Sequence, residues 1–220
     1  MTNDVLVIVP SRGRPENTLD FYKSFIETST ISDLCFGLDD DDVEYPRISG
    51  VTYEINPRLR MNGTLNLIAN KYADQYKYIA FLGDDHRPRT YGWDQLLVDS
   101  IKDLSNGIAY GNDLLAGESL PTAVLMDARI IKTLGYMAPP SLIHLYMDNF
   151  WRDMGNELGS LRYLGDVVLE HMHYTNGKAT ADFTYLEAND RSMYQRDADS
   201  YQDYVRSGNF ALDAEKLRNA

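Results

Sequence analysis

Val5-Leu6-Val7-Ile8-Val9 is an unbroken, mostly β-branched aliphatic run with no polar alternation. A strand with one wetted face would alternate, so this one is expected to be buried on both faces, as in a parallel sheet covered by helices. Pro10-Ser11-Arg12-Gly13-Arg14-Pro15 ends it, and a proline in the first turn suits a helix starting near Pro15. Leu19, Tyr22, Phe25 and Ile26 then recur at helical spacing.

The same alternation continues. A second strand is expected at about Leu34 to Leu38, ending in Asp39-Asp40-Asp41-Asp42, and a third at Val51 to Ile55. Helical spacing covers Thr64 to Ala73, and a fourth strand, Tyr78 to Leu82, runs straight into Gly83-Asp84-Asp85-His86. This order predicts an α/β chain with a Rossmann-like, mostly parallel sheet flanked by helices. Beyond it, helices are expected at Trp93 to Leu104 and Asp148 to Leu158. Strands are expected near Ile108, at Leu161 to Leu164 and at Val167 to His171, with an apolar segment at Thr122 to Met126. A length of 220 residues suits one domain, here 1–190. Residues 191–220 are polar and tyrosine-rich and read as a C-terminal tail, which as a lid, an oligomer contact or a frayed end leaves its role open.

Composition removes several classes of function. The formal net charge of −12 opposes a general affinity for nucleic-acid backbone, while leaving room for a local basic groove. No apolar stretch approaches the roughly 18–20 residues of a membrane span, and the first strand lacks the flanks of a signal peptide. The expectation is a cytoplasmic protein without a membrane partner. The single cysteine, Cys35, rules out an internal disulfide and, between Leu34 and Phe36, reads as a buried thiol.

In open α/β sheets, ligands bind beyond the carboxyl ends of the strands. Two such ends are acidic here, Asp39 to Asp42 and Asp84-Asp85. Adjacent buried carboxylates are costly unless water or a cation neutralises them, and carboxylate oxygens suit Mg²⁺ or Mn²⁺. The first cluster reads equally as a solvated turn; the second, followed at once by His86, reads as a metal site. His171-Met172-His173 adds two imidazoles that a strand would direct to one face.

With these pieces in order, roughly the first 175 residues resemble the GT-A-type nucleotide-sugar glycosyltransferases, and are also similar to small glycosyltransferases encoded by bacteriophages. Val5 to Pro15 resembles the first strand and loop that cradle the nucleotide base in that family, which implies donor contacts from Pro10, Ser11, Arg12 and Arg14. Asp39 and Asp40 resemble the second base-contacting position. Phe81-Leu82-Gly83-Asp84-Asp85 resembles the acidic metal motif, and His173 the late histidine completing the metal shell. The resemblance implies Mn²⁺ or Mg²⁺ held by Asp85 and His173 on the diphosphate of a donor sugar, most commonly a UDP-sugar, with Asp84 beside it. Gly83 departs from the motif, which usually begins with a third aspartate, so a ribose contact is missing or supplied elsewhere. The glutamine/arginine/tryptophan signature of processive synthases is also absent, which points to a single transfer.

The family further implies a carboxylate base after the acceptor-side strand. Asp148, in His144-Leu145-Tyr146-Met147-Asp148-Asn149-Phe150-Trp151, stands there, and would give inversion; its other reading is a helix N-cap. The neighbouring aromatics are either a sugar-stacking surface or core. Arg12, Arg14, Arg58, Arg60 and Lys178 are each open between a donor contact and a solvated surface, with Arg60 the foremost donor-side choice. The expected partners are a nucleotide-sugar donor and an acceptor that is a protein, a glycan or a modified DNA base. A metal-dependent hydrolase or phosphoesterase is the nearest rival, although four histidines are few for a dimetal site. A sugar-nucleotide-binding module without turnover is the non-enzymatic alternative. A phosphate-binding loop is excluded, since Met172 stands where the leading glycine before Gly177-Lys178 should be.

Overall fold

The first strand sits at the centre of the molecule and has no exposed face. In the computed structural model, which describes residues 3–220, every residue of β1 (Val5–Ser11) is buried. Its side chains divide by parity. Val5, Val7 and Val9 enter one apolar layer with Phe21 and Phe25 of α1 (Pro15–Thr28) and Trp93 and Leu97 of α3 (Trp93–Ile101). Leu6 and Ile8 enter the other, with Leu65 and Ile68 of α2 (Arg60–Tyr72) and Phe150 and Trp151 of α5 (Met147–Glu157).

The remaining elements are β2 (Ser32–Asp39), β3 (Thr52–Asn56), β4 (Tyr78–Phe81), β5 (His86–Pro88), β6 (Ile108–Asn112), β7 (Val124–Asp127), α4 (Ala128–Leu134), β8 (Leu161–His171), α6 (Phe183–Ala188), α7 (Arg191–Arg206) and α8 (Asn209–Arg218). The strands form one eight-stranded sheet in the order β3-β2-β1-β4-β7-β6-β8-β5. It is parallel from β3 through β4 and again between β6 and β8; β7 and the short β5 pair antiparallel. The carboxyl ends of β1, β2 and β4 therefore open on the same edge.

Several expectations shift in detail. The two strands expected between Leu161 and His171 are a single β8, whose register against β6 slips after Gly111, so that the exposed Gly165 and Asp166 bulge outward. Helix α2 begins four residues earlier than its apolar spacing indicates, which makes Arg60 its first residue rather than part of a loop. Cys35 is fully buried, and burial raises its pKa to about 12. Residues 191–220 form α7 and α8, and Tyr201, Tyr204, Ala214 and Leu217 are buried in the same apolar layer as α2 and α5. Tyr201 and Tyr204 face inward with their hydroxyls bonded to Asp153 and Asp213, while Tyr194 is exposed.

Candidate active site

A cleft of about 380 Å³ opens at the carboxyl ends of β1, β2 and β4. Pro10, Ser11, Arg12, Arg14, Asp39, Arg60, Asp84, Asp85, Asp148 and His173 all line it. Asp40 and Lys178 do not: Asp40 is exposed on the turn after β2, and Lys178 is paired with Glu170 at 2.7 Å on a neighbouring groove.

The loop after β1 is clamped by the first acidic cluster. Arg12 Nη1 donates to Asp39 Oδ2 at 2.8 Å and to Asp41 Oδ1 at 2.6 Å, and the Gly13 N–H donates to Asp42 at 2.7 Å. Asp39 and Asp41 are thus counter-charges for Arg12 and Asp42 holds the loop backbone, while Asp40 stays exposed on the turn. Ser11 donates to Asp84 at 2.6 Å, and Arg14 Nη1 lies 3.3 Å from the same carboxylate. Burial and the adjacent Asp85 charge raise the pKa of Asp84 to about 6, against the pull of Arg14 and Ser11.

Asp85 faces two imidazoles. Its Oδ2 is 3.3 Å from His171 Nε2 and its Oδ1 is 3.5 Å from His86 Nδ1. Antiparallel pairing of β5 with β8 sets His86 directly opposite His171, with the rings stacked 4.2 Å apart. Burial disfavours the Asp85 charge, but His171 and His86 overcome it and hold the carboxyl well below its usual range. Burial likewise opposes charge on His171; the carboxylates of Asp113 and Asp85 outweigh it and raise the ring to about 9.

Asp85, His86 and His171 bring ligand atoms within 4.8 Å of one another, a donor set that suits a divalent cation. Within it, His86 Nδ1 already accepts the Gly83 N–H at 3.1 Å, which occupies its lone pair. His171 is the better ligand. Its Nε2 faces Asp85, while its Nδ1 is buried, without a hydrogen-bond partner, 3.8 Å from Asp113 Oδ2. A carboxylate behind a ligating histidine is the usual support for a metal-bound ring. His173, the histidine favoured by the resemblance, lies past the end of β8; its ring is 4.8 Å from that of His171 and 5.1 Å from that of Tyr185.

No sequence motif marks Asp113. It is buried after β6, with Oδ1 accepting the N–H groups of Leu115, Ala116 and Gly117 and Oδ2 accepting from Thr122. The Gly83 departure has a steric cause: a Cβ at that position would lie 2.6 Å from Asp85 Oδ1 and 3.0 Å from His86 Nδ1. The His86 ring, accepting the Gly83 N–H, crowds that position.

Asp148 occupies the second position of α5, and the N-cap is Tyr146, in a left-handed conformation at φ 65°. Burial raises the Asp148 pKa, partly opposed by the Asn149 N–H that it accepts. The loop entering α5 is held from the C-terminal segment: Asp197 of α7, fully buried, accepts the N–H groups of Ile143, His144 and Leu145 at 3.1, 2.8 and 2.7 Å. A second support comes from α6. Asp182, at its N-cap, takes Arg14 in a two-point ion pair with both contacts at 2.6 Å, and Glu187 takes Arg58 and Arg60. Three arginines read from the sequence as donor contacts are therefore engaged by carboxylates on one short helix.

The fold and this cleft define the GT-A class, the fold of nucleotide-diphospho-sugar transferases. No family model matches the chain, and no curated protein matches it by sequence. Solved structures do. A mannosyltransferase of Pyrobaculum calidifontis, in complex with GDP-mannose and Mn²⁺, superposes with a TM-score of 0.62 at 10% identity over 99% of this chain and 74% of that one. Glucosyl-3-phosphoglycerate synthase of Mycobacterium tuberculosis, in complex with Mn²⁺, UDP-glucose and phosphoglyceric acid, gives 0.61 at 12% identity over 90% and 79%. Residues 1–349 of TarS from S. aureus give 0.52 at 11% identity; the match covers 76% of this chain and spans 59% of the TarS chain.

Proposed function

We propose that this protein is a metal-dependent glycosyltransferase that moves one sugar from a nucleoside-diphosphate sugar, UDP-linked by the family's usual habit, to an acceptor hydroxyl. The observation that carries this reading is the convergence, in one GT-A cleft, of the loop after β1, the Asp84-Asp85 pair, His171 and the half-buried Asp148.

Asp85 and His171 would hold Mn²⁺ or Mg²⁺, with His173 at the edge of the site, and the bound ion supplies positive charge beside the donor diphosphate. Asp113 keeps the His171 ring turned with Nε2 toward Asp85. Arg14, bonded to both Asp84 and Asp182, stands where it can add charge to the same phosphates once Asp182 yields. Pro10, Ser11, Arg12 and Asp39 border the part of the cleft nearest β1 and β2, where the base belongs in this fold. Asp148 receives the proton of the attacking hydroxyl; its raised pKa makes it a stronger base than an exposed aspartate. Attack from the side opposite the diphosphate inverts the anomeric centre. The acceptor hydroxyl belongs to a protein, a glycan or a modified DNA base.

Thermal unfolding with a panel of nucleoside diphosphates and their sugars tests the reading, first with Mn²⁺ and then with chelator. A ligand at about 100 times its dissociation constant adds about 2.7 kcal/mol. One nucleotide giving a metal-dependent shift that Asp85→Ala abolishes is the expected result. Stabilisation by metal alone, with no nucleotide adding to it, would overturn the transferase reading in favour of a hydrolase.

A further inference from the structure

Strand alternation sends His86 into the cleft and Arg87 the opposite way, beneath α1. There a second groove of about 570 Å³ runs between α1, β5 and the 172–182 segment. It shares Arg14, Asp85, His173 and Tyr185 with the cleft as a common wall.

Arg87 is nine-tenths buried, at 9% exposure. Its Nη1 donates to the backbone oxygens of Asp84 and His86, both at 2.7 Å. The other guanidinium nitrogens have no protein partner and are not sealed from the groove. No carboxylate among the described residues stands within 4.0 Å of it; Asp20, across the groove, is paired with Lys23. Asp20, Asp84 and Asp85 act on Arg87 only at a distance, and a buried cation without a direct ion pair is costly and ordinarily matched by an anion.

The neighbouring charges point the same way. Arg89 and Lys178 share one carboxylate, Glu170, at 2.8 and 2.7 Å. Among the described residues Glu170 is the one carboxylate in direct contact with any of Arg87, Arg89 and Lys178, and it meets only the last two; Asp85 stands in the shared wall. Lys23 and Arg14 are matched by Asp20 and Asp182, and Glu27 is exposed at the outer rim. The positive surplus is local to Arg87, Arg89 and Lys178, and the open edge of a guanidinium fits two oxygens of one phosphate.

We propose that this groove is a second anion site, taking a phosphate or diphosphate oxyanion on Arg87, Arg89 and Lys178, distinct from the cleft and independent of the metal. Its position behind Asp85 suits either a diphosphate leaving the cleft or a phosphate carried by another substrate. The site stands whether or not the transferase reading does.

Calorimetric titration of the full chain with inorganic pyrophosphate and with inorganic phosphate, in chelator and at physiological salt, tests it. Pyrophosphate is expected to bind the native protein and His171→Gln equally, since His171 lines the cleft and not the groove. Affinity should fall about tenfold or more in Arg87→Gln and in the Arg89→Ala/Lys178→Ala double variant, whose side chains are on the surface and spare the core. Pyrophosphate binding without phosphate binding assigns the site to a diphosphate; equal binding of both assigns it to a single phosphate group. Binding that requires Mn²⁺, that His171→Gln abolishes, or that the double variant leaves unchanged would overturn the proposal.

Discussion

Asp85 Oδ2 lies 3.3 Å from His171 Nε2, and this one contact joins the turn after β4 to the end of β8. Behind the ring stands Asp113, 3.8 Å from Nδ1. Asp113→Asn keeps the shape of the loop but removes the charge that orients the ring. It should weaken Mn²⁺ binding by about 10- to 100-fold, read from the free-Mn²⁺ paramagnetic resonance signal. Unchanged affinity would leave Asp113 as a loop support only.

Gly83 has no room for a side chain. Gly83→Ala must push either Asp85 or His86 aside, since its Cβ would fall 2.6 Å from Asp85 Oδ1. A loss of about 1–3 kcal/mol in urea unfolding is expected, together with weaker metal binding. A variant matching the native protein in both would show that the turn relaxes freely.

Asp148 lines the cleft but is not in the group of side chains that could hold the cation. Asp148→Asn should leave metal-dependent nucleotide binding intact while lowering turnover about 10²- to 10⁴-fold, measured as nucleoside diphosphate released with acceptor present. Near-native turnover would remove it as the base and favour a retaining reaction, which the anomeric configuration of the product would report.

Stability should fall in mild acid because of His144. Burial lowers its pKa to about 4, against the charge of Asp197. In the unfolded chain the same ring titrates near 6.5, so between pH 6.5 and 4 only the unfolded state takes up the proton. The stabilising contribution is complete above pH 6.5, declines as pH falls, and is gone below about 4. In urea titrations across this range, His144→Gln should show a flatter profile than the native chain; an identical slope would shift the acid sensitivity to other groups.

What is legible in the chain alone is what depends on near neighbours. The aliphatic run Val5 to Val9, the helical spacing after Pro15 and the acidic pair closing β4 are local patterns, and they determined the α/β class, the buried central strand and the position of the ligand edge. Asp84 and Asp85 were likewise placed at that edge by the strand that precedes them. His86, His171 and His173 are candidates beside Asp85, but which of them reaches it is not legible, nor is Asp113. His86 and His171 meet only because β5 pairs antiparallel with β8, and Asp113 joins them because β6 lies beside β8. Tyr201 and Tyr204 of α7 read as polar until their rings are seen in the core, and the carboxylates of Asp182, Glu187 and Asp197 reach back to loops far earlier in the chain. Periodicity reports which face of an element is apolar, because that follows from backbone geometry within a few residues. Which side chains converge across a sheet depends on strand order and register, and these are decided by packing between elements distant in sequence.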